Sequence, residues 1–476
     1  MKKIFNTPGK LLILISVVLF VVFWAVWFFA FRYYLIWLEG YSYFSTLPDF
    51  SSLYKNIPEG LPGYVGAFLH QFYAVPALGA AIQAFFTVWP SVCIAIIFAR
   101  FFKEPVRLMW IALIPMVFIA GRQFWDLYMY HMVIWSAVST VLMLAAVLAT
   151  CFFRPEWSLP KMLRNTCLNL IVMLLLVANS VYVVTSDPRN RQYEDMARLE
   201  YYGEKGQWDR ILKTVQPKDA RADEFKRHYA LLALSEKGLL ADYGFVYGLQ
   251  SQNDFVFYDR IDPMCLNFNA LFYQCLDMHN AVIHQAYQQG VQSVTGVSFA
   301  SLRRLADTYL ELKDYELAKK YLDILSHSTC HKKWVRTRLP ELEVIRNVQP
   351  AYETDPYKAA IANFSHTISS MVDRNRDNRK YADLLLCSLL ASQEGAQFKD
   401  IFRYIAQIQY PEGTSVPRLY EEALLLSSTV DPTALQGLTI SQETRKRFAD
   451  FVALMNSGKG NQALRKYADS YWAYTY

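Results

Sequence analysis

Residues 11–31 run for 21 positions without a charge. At about 1.5 Å per residue, a helix of that length spans roughly 30 Å, the thickness of bilayer hydrocarbon. Four more apolar runs follow. Residues 73–99 are interrupted by Gly79, Gln83 and Pro90, which predicts a kink or tilt. Residues 108–120 are short and hold Pro115, so they predict either a thin crossing or a re-entrant segment. Residues 129–153 are clean, and residues 166–184 are broken only by Asn169 and Asn179. Lys2, Lys3 and Lys10 precede the first run as they would in a signal peptide. Signal cores, however, span roughly 7–15 residues and end at small residues. This run is longer and ends in Phe31-Arg32-Tyr33-Tyr34, which predicts an uncleaved anchor.

Charge divides the chain in the same place. Residues 1–185 carry 12 Lys/Arg against 6 Asp/Glu, whereas residues 186–476 carry 36 of each. The expected organisation is a transmembrane bundle of about five spans over 1–185 and a water-exposed tail over 186–476. A neutral tail disfavours nucleic-acid binding, which depends on a basic footprint. Orientation follows from the basic residues. With the N-terminus inside and five crossings, the inner segments hold Lys2, Lys3, Lys10, Arg100, Lys103, Arg107, Arg154, Lys161 and Arg164. The short outer segments hold only Arg32, Lys55 and Arg122. Nine against three places the tail outside the cytoplasm. In a bacterium that means an inner-membrane protein with a periplasmic domain.

From Ser186 the pattern becomes one of amphipathic helices joined by short turns. Leu302, Leu305, Ala306 and Tyr309, followed by Ala318 and Leu322, are spaced as in a tetratricopeptide repeat. Ala306 and Ala318 are small enough for two helices to approach, and Leu305, Tyr309 and Leu322 fill the seam. Tyr202, Gly206 and Ile211 keep the same frame, as do Leu454, Gly458, Ala463 and Tyr467. Further helical stretches are expected at 222–236, 265–289, 357–372, 380–392, 399–408 and 418–428. Alternating β-branched runs are few. The fold class is therefore all-α, a transmembrane bundle followed by an extracytoplasmic TPR-like α-solenoid.

Motifs with chemistry are sparse. Ser457-Gly458-Lys459-Gly460 lacks the spacing of a phosphate-binding loop and reads as a helical turn. No nucleophile elbow, H-E-x-x-H or paired C-x-x-C occurs, so no cofactor and no metal are expected. His327 and His331, with Cys330 between them, would share one helix face and could offer metal ligands, but an ordinary helix end explains them better. Cys265, Cys275, Cys330 and Cys387 fit buried free thiols better than disulfides. The polar residues expected at the outer face are Glu39, Asp49, His70, Gln71, Arg122, Asp126 and His131. Charges beside membrane spans are costly unless they pair or line a cavity. Arg122 and Asp126, four apart, suit a helical ion pair. The functional alternative is a polar pocket for a substrate or a lipid head group.

The stretch Glu39-x4-Phe44, then Pro58-Glu59-Gly60-Leu61-Pro62-Gly63-Tyr64, then Ala67-Phe68-x-His70-Gln71-Phe72, resembles a family of uncharacterised bacterial multi-pass membrane proteins. Members of that family share a Glu, a P-G-G-L-x-x-Y loop, an F-x-x-Q-F opening of the second span, and a helical tail closing in aromatics. Here Glu59 replaces the first loop glycine, and the tail closes with Asp469-Ser470-Tyr471-Trp472-Ala473-Tyr474-Thr475-Tyr476. The resemblance implies an architecture and no reaction.

Two functions follow. One is a membrane-anchored interaction protein whose helical repeats bind a protein or peptide partner, with the lipid bilayer as its other contact. The other is a membrane-embedded transferase acting on a lipid-linked or glycan substrate at the outer face, with Glu39 or Asp49 as base. Five spans are few for such an enzyme. A transporter would need more spans and internal symmetry.

Overall fold

The computed structural model describes residues 8–153, 157–158, 166–258, 260–352, 363–411 and 414–476. Among them the chain is all-α, and the only strand-like pairing is an isolated bridge between Phe102 and Trp157. Five helical segments are long and apolar enough to cross a membrane. They are α1 (Pro8–Ala30), α5 (Pro76–Phe101), a broken segment over Pro105–Gln123, α8 (Tyr130–Phe152) and α9 (Thr166–Ser186). The broken segment is the short third span of the sequence, lengthened to 19 residues. A 3₁₀ turn at Pro105–Leu108 leads into α6 (Met109–Ala112), and α7 (Ile114–Gln123) restarts with Pro115 in its first turn. Proline is tolerated there because the first turn lacks a partner for its N–H in any case. The long second span continues as one helix through Pro90.

Packing clusters the chain into two compact units. The first comprises residues 1–198 and 286–351. In it α1 packs on α5, α5 on α8, and α7 on α9. Apolar faces turned away from these contacts stay exposed, among them Val17 and Val21 on α1 and Leu174 and Leu175 on α9. In a bilayer this is the ordinary arrangement, since lipid is as apolar as leucine. The shorter helices of this unit are α2 (Arg32–Tyr41), α3 (Pro48–Leu53), α4 (Gly60–His70) and the first part of α10 (Pro188–Glu204).

The second unit comprises residues 199–285 and 352–476. It holds α11 (Trp208–Thr214), α12 (Pro217–Ala222), α13 (Glu224–Glu236), α14 (Leu240–Tyr243), α15 (Pro263–Cys275) and the start of α16 (His279–Val291). The rest of α16, with α17 (Phe299–Glu311), α18 (Tyr315–Ser326) and α19 (Lys332–Val344), belongs to the first unit. The second unit resumes with α20 (Phe364–Arg374), α21 (Arg379–Ala391), α22 (Gly395–Gln409), α23 (Arg418–Ser428), α24 (Gln442–Asn456), α25 (Gly460–Lys466) and α26 (Tyr471–Thr475). Every residue of α21 from Tyr381 to Ala391 is buried, so it forms the centre of that unit. The C-terminal α26 is held by Glu422, whose carboxylate accepts from Tyr471 N at 2.8 Å and whose carbonyl accepts from Trp472 Nε1 at 2.8 Å. A break at Asp277 divides the expected 265–289 helix, and the first part of the expected 357–372 helix lies outside the described residues.

One local device recurs. Six pairs of consecutive helices are joined by three residues, the middle one in the left-handed conformation. Those middle residues are Gly206, Gly238, Asp277, Lys313, Gln393 and Gly458. In each case the next N–H donates to the carbonyl five residues back, at 2.8–3.1 Å, for example Asp314 N to Tyr309 O. This closure satisfies helix-end carbonyls that would otherwise lack partners. Five residues after the left-handed position stand Ile211, Val282, Ala318, Phe398 and Ala463, all buried, and Tyr243, which is exposed. The predicted seam residues Leu305, Ala306, Tyr309, Ala318 and Leu322 are buried where α17 meets α18. All seven cysteines are free, and burial pushes the Cys275 thiol up to about 12.

Candidate functional site

The site lies within the first unit and is built on α2. Phe31 alone separates this helix from α1, and its first-turn N–H groups need acceptors. Glu194 of α10 supplies them, accepting from Tyr34 N at 2.8 Å and Tyr33 N at 3.4 Å. Burial drives the Glu194 carboxyl up to about 7, against the pull of those N–H groups and of Arg198. The Tyr34 ring stacks on Phe124 with centroids 4.0 Å apart, and its hydroxyl donates to Phe124 O at 2.8 Å. These contacts fix the register of α2 and turn Glu39, one helical turn and a half further on, away from solvent.

Glu39 is fully buried. Its Oε2 accepts from Arg303 Nη2 of α17 at 3.3 Å. Its Oε1 lies against His331 Nε2, close but out of hydrogen-bond alignment. The His331 ring stacks on Phe299 with centroids 3.9 Å apart. Burial raises the Glu39 carboxyl, but Arg303 and His331 outweigh it, and the carboxyl is held below its ordinary value. Glu39 is thus a stable anion and a weak base.

His70 closes the other side, at the end of α4. It is buried, and neither ring nitrogen has a hydrogen-bond partner. Burial drives it down to about 4 although the Glu39 charge favours its protonated form. Its ring meets Tyr73 edge-on at 4.9 Å. Next to it, Gln71 Nε2 donates to Phe68 O at 2.9 Å, and Gln71 Oε1 accepts from Thr329 N at 3.1 Å. Two backbone links run alongside: Phe299 N donates to Ser42 O at 2.8 Å, and Thr46 N to His327 O at 2.9 Å. The centre therefore fastens α2 and α4 to α17 and the loop after α18.

Of the residues expected at one outer pocket, the structure brings together Glu39, His70 and Gln71. The others stand apart from them. Asp126 accepts from Met132 N at 2.9 Å and faces His131 Nδ1 at 3.4 Å, so it caps the first turn of α8. Arg122 is exposed, and the expected helical pair with Asp126 does not form because α7 ends at Gln123. Asp49 is exposed in the first turn of α3. His327 and His331 do not share a helix face, since α18 stops at Ser326 and α19 begins at Lys332. Among the described residues no three His, Cys, Asp or Glu side chains converge on a metal-sized site.

Sequence reasoning missed Arg303 and Glu194. On an amphipathic repeat helix, Arg303 reads as a solvated residue, and nothing local ties it to a carboxylate 264 positions earlier. Glu194 sits in a charged helix where a capping role at another helix is invisible.

The family described as "Family of unknown function (DUF6057)" matches residues 9–185 and 146–476. The chain belongs to this family. No curated protein and no solved structure matches it. The match runs through both the apolar spans and the helical tail, so the Glu39 centre, drawn from both, lies wholly inside the family region.

Proposed function

We propose that this member of DUF6057 is a membrane-anchored interaction protein whose TPR-like helical hairpins bind a protein or peptide partner. The observation that carries the reading is the recurrence of one helix–turn–helix closure at six places, the first four 32, 39 and 36 residues apart. Tetratricopeptide units repeat at about 34 residues, and stacked hairpins offer extended surfaces to a partner. The bias of basic residues supports an N-terminus in the cytoplasm and a tail outside it, at a bacterial inner membrane. The test is crosslinking of the intact protein in its native membrane, followed by purification. The expected result is one protein or peptide partner joined through residues 199–285 or 363–476. Recovery of self-adducts and lipid adducts alone would overturn the reading.

A second reading, a membrane-embedded transferase for a lipid-linked or glycan substrate, is favoured by one observation. A neutral histidine with two unpartnered ring nitrogens beside a buried carboxylate is costly to keep in a core. Such pairs recur where protons are moved. Against it stands the Arg303 contact, which lowers the basicity of Glu39.

A further inference from the structure

Helix α4 is built inside out. Its buried face is made of Gly63, Gly66, Ala67 and His70, while Leu61, Val65 and Phe68 lie on the opposite side. Leu61 is 73% exposed and Phe68 39% exposed. The spacing 61, 65, 68 is one helical stripe. In water, a helix buries such a stripe and exposes its small and polar residues. No Asp, Glu, Lys or Arg stands in α4.

Its position explains the inversion. The small face is pressed against the start of span α8, where a Cβ on Gly66 would collide with the Tyr128 carbonyl and stand 3.2 Å from Met129 Cβ. Only the 3₁₀ turn Gln71–Ala74 and Val75 separate α4 from span α5. Val75 and Leu78, where α5 begins, are exposed, as is Trp135 in the second turn of α8. The exposed Leu61–Phe68 stripe thus stands one short turn along the chain from the exposed start of α5. Eleven residues make a helix of about 16 Å, too short to cross.

We infer that α4 is a further membrane-embedded segment. It lies in the leaflet at the Pro76 end of α5 without crossing, and its Leu61–Val65–Phe68 stripe is in contact with lipid acyl chains. This surface holds the bilayer against the element that ends in His70.

The test places a benzophenone amino acid at Leu61 in the full chain, reconstituted in phosphatidylcholine vesicles. Leu142, 57% exposed in the middle of α8, is the lipid control, and Val344, 77% exposed on α19, is the water control. After irradiation, mass spectrometry should find a phosphatidylcholine adduct at Leu61 and at Leu142 and none at Val344. Loss of the lipid adduct at Leu61 while Leu142 keeps it overturns the inference. So does an adduct at Leu61 to a second copy of the chain in place of lipid. Leu61 is exposed, so the substitution leaves the packing of α4 intact.

Discussion

His70 and Glu39 are opposite solutions to burial. Glu39 keeps its charge because Arg303 and His331 compensate it, whereas burial makes His70 give up its charge despite the nearby Glu39 carboxylate. A histidine driven down to about 4 binds fewer protons folded than unfolded between that value and about 6.5. Its contribution is complete above pH 6.5 and is lost as pH falls towards 4, by at most about 3 kcal/mol. Glu194, driven up to about 7, acts with the opposite sign and costs stability as pH rises from about 4.5 to 7. The parent's net slope is therefore flattened, and the comparison that isolates His70 is with a variant. His70→Phe keeps a ring against Tyr73 and removes the titration. In detergent its thermal stability should equal or exceed the parent's at pH 5, with the difference shrinking at pH 7.5. An unchanged difference across that range would remove His70 from the account. Glu39→Gln removes a buried charge and leaves Arg303 without its carboxylate. Breaking a buried pair costs about 3–5 kcal/mol, and partial exposure of Arg303 reduces this to about 2–3 kcal/mol. A fully folded, membrane-inserted Glu39→Gln protein that has lost function in a complementation assay would favour the transferase reading over the interaction reading.

At the scale of elements, the three-residue junction is the unit that repeats. Gly206, Gly238 and Gly458 adopt its left-handed conformation without strain, while Asp277, Lys313 and Gln393 adopt it at a cost of about 1–2 kcal/mol each. A Cβ added at Gly458 would meet nothing within 4 Å, so Gly458→Ala tests backbone strain alone. It should destabilise by about 1 kcal/mol. Lys313→Gly should do the reverse and stabilise by about 0.5–1 kcal/mol, since relief of strain exceeds the added chain entropy. Calorimetry of both variants in the full chain checks the pair. Shifts of the same sign would show that the junctions are not equivalent. Because only three of the six junctions carry glycine, the sequence exposes two of them in frame with the α17–α18 repeat and conceals the rest.

At the scale of the whole molecule, charge predicts sidedness. An odd number of crossings and an inside excess of nine basic residues to three predict opposite sides for the two termini. Of the nine, Lys10, Arg100, Lys103 and Arg107 are among the described residues, whereas Lys2, Lys3, Arg154, Lys161 and Arg164 lie outside them. A reporter active only outside the cytoplasm, fused after Tyr476, should give signal, and one fused at Lys161 should not. The reverse pattern would refute the orientation. The same measurement bears on the placement of the helical tail, and therefore on where a partner would be sought.

Hydropathy alone settled the five apolar helices, because an uncharged run of about 20 residues has few other uses, and the structure returned all five within a few positions. Helical periodicity settled the all-α class, because it depends on contacts a few residues apart. The polar residues were legible only as types. That Glu39 is tied to Arg303 of α17, that Gln71 is tied to the loop after α18, and that Arg122 and Asp126 stay apart were decided by how α2, α4 and α17 pack and by the end of α7 at Gln123. The sequence records which charges a chain must bury or pair. Pairings across 264 residues are chosen by tertiary packing, because only there does the cost of burying one charge come to depend on where another has been placed.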